Sequence, residues 1–435
     1  MRLPKEVENA LDQAWNRVVA ENSMERWLNL CEQEEWVDAP KNLPLLTRIF
    51  GASWYFTRFI FVNGSDIANL VDQPPPASFT TGACEQILQD ALTLEGMDAG
   101  LERLRILKNR IMLQILIARL TEEFDQEKTE HALTCLAEAT LGVIMRLQRL
   151  TPEYAANPIS ILGMGRMAGY EMTFGSDLDI IFLYGGDGAD LDPQTERGIR
   201  LLLRNIAAQS PVGLLYEVDM RLRPHGNAGV LLTSLKSFLE YHGRERDIWE
   251  RQMMTRCRIL LDSDGSVQTL MNKVNGQIYA RYDKRHLRSE IISMRQRVQK
   301  ELGSPAGKYE IKRGRGGIMD IDFITHYYQL AYGHDNPELQ TGSTREVLRR
   351  AADLEIMGRG DSADLLEAYD FLKQVETSLR LFDMKPISAF PASPQANTAL
   401  ARALGFASGE EEAFIHRYEA VTGSVRERFC RILES

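Results

Sequence analysis

The 435-residue sequence predicts an α+β protein that is mostly helical, in which a small mixed β-sheet domain is flanked by helical regions and followed by a C-terminal helical bundle. Three observations support this class. Apolar residues recur at helical spacing in long segments on both sides of the middle, β-rich runs are confined to about 159–232, and glycine turns separate those runs. Hydrophobic residues make up 44% of the chain, which excludes a protein that is disordered throughout.

The helical segments are identified by their periodicity. In one of them, apolar residues that recur at three- to five-residue steps lie close to one helix face: Leu101, Leu104, Leu107, Ile111, Ile115 and Leu120. Similar patterns predict helices over about 128–150 and 192–209. From Ser234 onward the sequence favours helices again, with a glycine-rich interruption at 303–318. We interpret the stripes as core-facing sides of packed helices.

These patterns divide the chain into three predicted units. An N-terminal helical region covers 1–124, the sheet domain covers 125–265, and the C-terminal bundle covers 266–435. In the middle unit four runs rich in β-formers are bounded by glycine or proline and predict four strands: 159–165 entering a glycine turn, 177–184 closed by Gly185 and Gly186, 214–222, and 227–232.

Composition narrows the functional classes. The formal net charge is −10, from 51 Lys+Arg and 61 Asp+Glu, which argues against non-specific binding to nucleic acid. The five cysteines form no CxxC pair, so we expect reduced thiols rather than zinc ligands. The first residues lack the apolar core of a signal peptide, and no run approaches 18 apolar residues. We therefore expect a cytoplasmic protein with neither nucleic acid nor membrane as a partner.

The segment Gly175-Ser176-Asp177-Leu178-Asp179 carries the strongest chemical signal. Because successive side chains on a strand point to opposite faces, Asp177 and Asp179 project the same way. Two close carboxylates repel each other unless a cation lies between them, and such oxygen ligands suit Mg²⁺. Backbone N–H groups at Gly175, together with the Ser176 hydroxyl, are suited to a phosphate oxygen.

A second charged strand follows downstream. In the predicted strand 214–222, alternation places Glu217, Asp219 and Arg221 on one face, continued by Arg223. Asp219 is then a third carboxylate, and the two arginines can bind phosphate oxygens. Three strand-borne carboxylates, a glycine-serine turn and arginines predict a phosphoryl or nucleotidyl transfer site with two metal ions.

This pattern resembles the DNA polymerase β-like nucleotidyltransferases, whose motif is a glycine-serine turn, a DxD pair and a later strand aspartate. The blocks GMGRMAGYE (163–171), SDLD (176–179), VDMRLRP with HGNAG (218–229), and GGIMDIDF (316–323) with Lys312 before it are together similar to glutamine synthetase adenylyltransferase. Members usually carry two catalytic units, and this sequence carries one. HGNAG and Asp320 make it most similar to the AMP-adding, C-terminal unit.

The resemblance implies that AMP moves from ATP to a tyrosine hydroxyl of glutamine synthetase, with release of pyrophosphate. It implies two Mg²⁺ ions, with Mn²⁺ as the alternative, ATP as substrate and the PII signal protein as a further candidate partner. Asp177, Asp179 and Asp219 are the expected catalytic and metal-binding residues. The expected nucleotide-binding residues are Gly175, Ser176, Arg166, Arg221, Arg223 and Lys312.

Two other functions fit the same residues. The unit can instead remove AMP by phosphorolysis of adenylyl-tyrosine to ADP, and the carboxylates do not discriminate because the chemistry is nearly the reverse. The chain can also be a catalytically silent regulatory scaffold. Three intact carboxylates argue against the scaffold, since a degenerate site has little reason to keep like charges together.

Overall fold

Helices lie on both sides of a small mixed sheet, so the predicted α+β, mostly helical class is confirmed. The computed structural model describes residues 3–34, 40–151, 157–185, 190–243, 247–302 and 306–434. Two sequence predictions include residues outside the described ranges. They are Gly186, which is expected to close a strand, and 303–305 of the glycine-rich segment.

Among the residues that the structure describes, eight α-helices precede the sheet. They are α1 (Lys5–Gln13), α2 (Arg17–Gln33), α3 (Leu43–Ala52), α4 (Trp54–Asn63), α5 (Ser65–Ala68), α6 (Thr81–Leu88), α7 (Met97–Leu120) and α8 (Gln126–Leu147). The periodic segment 101–120 lies within α7, as predicted, and Asp125 caps α8 by accepting a hydrogen bond from the amide of Lys128 at 2.8 Å. Both long helices pack against α6 and against each other. The unit boundaries at 124 and 265 stay predictions.

In the described part of the middle region, the sheet contains five strands, with four α-helices along its connections. They are β1 (Ile159–Met164), β2 (Leu178–Tyr184), β3 (Val218–Asp219), β4 (Leu232–Ser234), β5 (Cys257–Leu261), α9 (Gly165–Ala168), α10 (Pro193–Ala207), α11 (Leu235–Gly243) and α12 (Ile248–Met254). The order is β3-β2-β1-β5, and β4 also pairs with β2. Strand β1 is antiparallel to β2 and β5, whereas β2 is parallel to β3 and β4.

The predicted strand 214–222 is wrong over most of its length, because only Val218–Asp219 pair with a neighbour. Before that pair, the amides of Leu215 and Tyr216 donate to the carbonyl of Ile206 at the end of α10, so this backbone is bonded to a helix. After it, the chain turns at once. Arg221 and Arg223 therefore lie in turns, and strand alternation does not place them.

Two further strand assignments differ from the prediction. The strand expected at 227–232 occurs later, at Leu232–Ser234, because Gly226–Ala228 forms a 3-10 turn. Strand β5 is a correction, since after Ser234 the sequence predicts helices apart from the glycine-rich interruption at 303–318. It follows α12 after two residues and has no glycine or proline before it to mark a change of structure.

In its described residues the C-terminal part is helical with one two-stranded sheet, which the sequence does not predict. Its elements are α13 (Ser266–Ile278), α14 (Lys284–Leu302), β6 (Lys308–Glu310), α15 (Ile318–Tyr332), α16 (Thr344–Asp353), α17 (Arg359–Leu381), β7 (Ala389–Pro391), α18 (Thr398–Ala403) and α19 (Glu411–Phe429), followed by a π-helical turn at Cys430–Glu434. Strands β6 and β7 are antiparallel. None of the described helices combines the length and apolar character needed to cross a membrane.

The two faces of the sheet contribute to different apolar cores. On β2, Leu178, Ile180 and Phe182 pack with the N-terminal helices, whereas Ile181 and Leu183 pack with the C-terminal helices. Because side chains alternate along a strand, odd-numbered positions of β2 face the C-terminal side. Asp179 is on that side by the same rule, so the sheet presents its acidic positions toward the C-terminal helices.

A substitution at Gly316 tests how tightly the segment between β6 and α15 is packed. Its φ is +68°, and a Cβ there would lie 1.8 Å from the carbonyl oxygen of Thr422 in α19. We expect Gly316→Ala to lower the free energy of unfolding by about 3 kcal/mol, since strain and overlap with backbone add together. Urea denaturation measures the change.

The matched control is Gly276→Ala in α13. A Cβ at Gly276 meets nothing within 4 Å, so the substitution should raise the free energy of unfolding by about 0.5–1 kcal/mol through helix propensity. Equal midpoints for the two variants would contradict the packing at Gly316.

Candidate active site

Three carboxylates converge at the edge of the sheet. Asp177 immediately precedes β2, and Asp179 pairs in parallel register with Asp219 of β3. One carboxylate oxygen from each residue lies within 4.8 Å of the other two, and all three side chains are half-buried. The prediction that Asp177, Asp179 and Asp219 lie together therefore agrees with the geometry. We call these three residues the aspartate triad.

The charge of the triad is poorly compensated at Asp179. Burial and the neighbouring charge of Asp177 together raise the pKa of Asp179 to about 7, against an opposing effect of Lys312. The Asp179 side chain fits here because residue 165 is glycine. The φ of Gly165 is +55°, and a Cβ there would lie 2.9 Å from Oδ2 of Asp179. Asp179 is therefore a buried carboxylate next to two other carboxylates. Such a group has oxygen donors and excess negative charge, and both suit a divalent cation.

Asp219 differs because an arginine pairs with it. The Nε of Arg221 donates to Oδ2 and Oδ1 of Asp219 at 2.8 and 3.0 Å, and the Arg221 amide donates to Oδ1 at 2.8 Å. Burial alone would raise the pKa of Asp219, but these hydrogen bonds and the charge of Arg221 lower it. The Arg221 side chain is 72% exposed, so it can turn away from the carboxylate without disturbing a core.

The Gly175-Ser176 turn leads directly into the triad. Gly175 has φ +67°, and a Cβ there would lie 2.9 Å from the carbonyl carbon of Met384. The Ser176 Oγ accepts from the amide of Thr173 at 3.0 Å, and the Ser176 amide donates to the Thr173 carbonyl at 3.1 Å. Because Oγ accepts in this bond, its own proton can be donated to an anion.

Arg223 lies beside the triad, and its nucleotide-binding role stays a prediction. Its guanidinium donates to the carbonyl oxygens of Met220 at 2.8 Å and of Gly229 at 3.3 Å, which closes the turn after β3. An open groove of about 410 Å³ runs along this turn. It is lined by Asp177, Glu217, Val218, Asp219, Met220, Arg221, Arg223 and Asn227.

The structure places Arg166 in a buried ionic cluster that joins the sheet to the C-terminal helices. Arg166 donates to Glu171 at 3.0 Å and, through two nitrogens, to Asp322 at 2.7 and 3.1 Å. Arg256 pairs with the same two carboxylates, and the Tyr369 hydroxyl donates to Glu171 at 2.7 Å. Despite its burial, Glu171 has a pKa lowered to about 2 by Arg256 and Arg166. The nucleotide-binding role of Arg166 stays a prediction.

Lys312 approaches the triad from the C-terminal side. It lies in the turn after β6, where its carbonyl accepts from the amide of Met319 at 2.9 Å. Burial lowers the pKa of Lys312, while the charges of Glu376 and Asp179 raise it. Its positive charge in turn lowers the pKa of both Asp179 and Asp219. Of the six predicted nucleotide-binding residues, Lys312 and Arg221 have the clearest electrostatic link to the triad.

One lysine that sequence reasoning missed lies on the other side of the turn. Lys108 of α7 is 4% exposed and lines a cavity that Gly175 and Ser176 also line. The sequence contains a signal for this lysine, since Leu104, Lys108 and Ile111 follow the helical spacing of the apolar stripe. A lysine on a core-facing stripe is rare enough to signal a specific environment.

A small mixed sheet that brings three carboxylates together beside a glycine-serine turn is the arrangement expected of a polymerase β-like nucleotidyltransferase. The family comparison agrees with this class. Residues 43–273, more than half of the chain, match the family model described as glutamate-ammonia ligase adenylyltransferase, and residues 285–433 match the model described as GlnD PII-uridylyltransferase. The chain therefore belongs to the glutamate-ammonia ligase adenylyltransferase family, which confirms the resemblance inferred from the sequence motifs.

Curated relatives give the same family. The chain is similar to bifunctional glutamine synthetase adenylyltransferase/adenylyl-removing enzymes: that of Nitrosomonas europaea is 31% identical over 286 residues, and that of Methylococcus capsulatus 32% over 286 residues, covering 64% of this chain in both cases. The enzyme of Thioalkalivibrio sulfidiphilus is 31% identical over 333 residues, or 71% of this chain. The matched regions span only 30–34% of these relatives.

Replacing Asp179 tests the electrostatics of the triad without an activity assay. The folded-state pKa of about 7 lies above the ordinary value, so ionising Asp179 costs stability as the pH rises from about 4 to 7. We expect Asp179→Asn to raise the free energy of unfolding of the metal-free protein above pH 7, by on the order of 1–3 kcal/mol, and to lose this gain toward pH 4. Thermal unfolding across this pH range measures it.

Magnesium provides the complementary measurement. Added Mg²⁺ should raise the melting temperature of the wild-type protein, because a ligand that binds only the folded state stabilises it. The Asp179→Asn variant should respond much less. An equal Mg²⁺ response in both proteins would contradict cation binding at the triad.

Proposed function

We propose that this chain is a catalytic unit that transfers AMP from ATP to a tyrosine hydroxyl of glutamine synthetase and releases pyrophosphate. The observation that carries the proposal is the aspartate triad, with carboxylate oxygens within 4.8 Å of one another. The relatives that match the chain are named as adenylyltransferases of glutamine synthetase, which supplies the protein substrate. ATP is the nucleotide that contains the transferred AMP.

Divalent cations fit the triad on its own chemistry. Three carboxylates supply hard oxygen donors, and the raised pKa of Asp179 reflects unbalanced negative charge. We assign Asp177, Asp179 and Asp219 as ligands of two Mg²⁺ ions, with Mn²⁺ as the alternative. Such ions, when bound, supply positive charge that polarises the phosphate and stabilises the attacking and leaving oxygens.

In the transfer step, the tyrosine oxygen forms a bond to the α-phosphorus of ATP, and the bond from that phosphorus to the bridging oxygen breaks. Pyrophosphate carries away the electron pair of the broken bond, and the phenolic proton passes to a base. Asp219 is held ionised by Arg221, which favours a role as cation ligand. We assign the same carboxylate to help remove the phenolic proton, since a cation on the attacking oxygen would make that proton easier to lose.

Nucleotide contacts follow from the groups around the triad. The Ser176 hydroxyl and the backbone at Gly175 face the nucleotide phosphates in this proposal, and Lys312 and Arg221 add positive charge on either side. Arg166 and Arg223 stay candidate nucleotide-binding residues. Arg166 also pairs with Glu171 and Asp322, and Arg223 also closes the turn that follows Asp219. The PII protein as partner and the cytoplasmic location stay predictions.

Substitution of the triad tests the catalytic role. We expect Asp177→Asn and Asp179→Asn each to reduce AMP transfer by at least about 100-fold, because each removes charge that holds the reacting groups in place. Far-ultraviolet circular dichroism should stay unchanged. The measurement is incorporation of label from [α-³²P]ATP into glutamine synthetase.

The control is Asp353→Asn, an exposed aspartate near the end of α16. It should transfer AMP at the wild-type rate. Wild-type turnover by either triad variant would end the catalytic assignment, and so would the absence of Mg²⁺-ATP binding in calorimetry, which the silent scaffold predicts.

The direction of the reaction needs its own experiment, since the relatives are named for both adding and removing AMP. Label that moves from ATP to unmodified glutamine synthetase supports transfer. Release of ADP from adenylylated glutamine synthetase with orthophosphate, without any transfer, would assign the chain to phosphorolysis instead.

A further inference from the structure

A cavity of about 430 Å³ lies beside the Gly175-Ser176 turn, away from the aspartate triad. None of the three aspartates lines it. Its apolar wall is continuous with the core formed by the N-terminal helices, whereas the triad is on the sheet face that is turned toward the C-terminal helices. The apolar lining residues on this wall include Met112, Leu133, Phe174, Leu215 and Tyr216. A volume of this size is in the range of small-molecule sites.

The cavity is lined by three cationic residues, Arg58, Lys108 and Lys385, of which Lys108 is buried. Its amine lies 4.9 Å from the centroid of the Tyr216 ring and 3.5 Å from the carbonyl oxygen of Leu214, and both of these residues also line the cavity. The lysine is therefore positioned at the cavity wall. The ring and one long hydrogen bond offer a buried ammonium group little compensation for the loss of water.

Neither of the carboxylates that line the cavity forms an ion pair with Lys108. Two of them line it: Asp383 pairs with Lys385 at 3.1 Å, and Glu217 is exposed to solvent. Within the part of the chain that the structure describes, no carboxylate lies within ion-pair distance of the Lys108 amine, and burial lowers its pKa to about 7. Arg58 also lines the cavity and donates to the carbonyl of Pro211 at 3.1 Å.

We propose that this cavity is an anion-binding site in which the ammonium group of Lys108 pairs with a phosphate or carboxylate group. Two sources can supply that group. One is the terminal phosphates of a nucleotide held at the triad, because Gly175 and Ser176 line the cavity and are also the proposed phosphate-binding turn; this source depends on the proposed function. The other is a free small anion with a short apolar body, which suits the apolar wall.

The segment that follows the cavity connects it to the active site. Leu214, Leu215 and Tyr216 line the cavity, and three residues later the same segment supplies Asp219. An anion on Lys108 would fix this segment and, through it, the position of Asp219. The site would thereby affect the triad without contacting it.

The test compares wild-type protein with Lys108→Met, which keeps side-chain length and removes the charge. Inorganic phosphate, phenyl phosphate and hexanoate are titrated by isothermal calorimetry without metal or nucleotide, and Mg²⁺-ATP and Mg²⁺-AMP are titrated separately. Lys273→Met is the matched control, since Lys273 is an exposed lysine of α13. We expect the control to bind every probe as the wild type does.

A free anion as the source predicts that phenyl phosphate or hexanoate binds the wild type and binds Lys108→Met about 10-fold or more weakly, with Mg²⁺-ATP unchanged. Terminal phosphates as the source predict about 10-fold weaker Mg²⁺-ATP with Mg²⁺-AMP unchanged. Both results support the anion site. Wild-type affinity of Lys108→Met for every probe, or no binding of any probe to the wild type, would overturn it.

Stability separates this role from a structural one. Removal of a buried amine that has no ion pair should leave the melting temperature of Lys108→Met at or above the wild-type value, whereas a structural lysine would lower it. Lys108→Gln is the second variant if the methionine variant does not fold. Binding of the small anions is measured without nucleotide, so it can succeed even if the wild-type protein transfers no AMP to glutamine synthetase.

Discussion

The arrangement of charged groups at the active site depends on the repulsion among three carboxylates. Parallel pairing of β2 with β3 places Asp179 beside Asp219, and Asp177 adds a third negative charge within the same 4.8 Å. Positive groups reach this point from two directions: Arg221 from the turn after β3, and Lys312 from the segment between β6 and α15. The remaining imbalance falls on Asp179, whose pKa is raised to about 7.

A buried ionic cluster keeps the two halves of this arrangement together. Arg166 follows β1 and Arg256 precedes β5, and both pair with Asp322 of α15 and with Glu171. Removing one member of such a cluster would leave an unpaired charge in the interior, which is costly, so the cluster restricts how the sheet sits against the C-terminal helices. The position of Lys312 near the triad depends on that contact, because Lys312 belongs to the C-terminal side.

The two sides of the Gly175-Ser176 turn have opposite chemistry. On the triad side, excess negative charge suits cations, whereas on the cavity side Lys108 is a buried positive group without a carboxylate partner. A phosphate group is complementary to both, because it binds divalent cations and ammonium groups alike. The turn thus lies between the two sites that we propose, and a phosphorylated ligand is complementary to both.

The sequence by itself determined the helical class, strands β1 and β2 and the identity of the triad, because these depend on local periodicity and on the two-residue alternation of Asp177 and Asp179. It also determined the family, through the motif blocks. Only the tertiary structure decided that β3 is two residues long, that β5 exists and that Arg166 is enclosed by Glu171 and Asp322. These features depend on partners distant in the chain, and local propensity contains no information about which backbone or charge will be adjacent after folding.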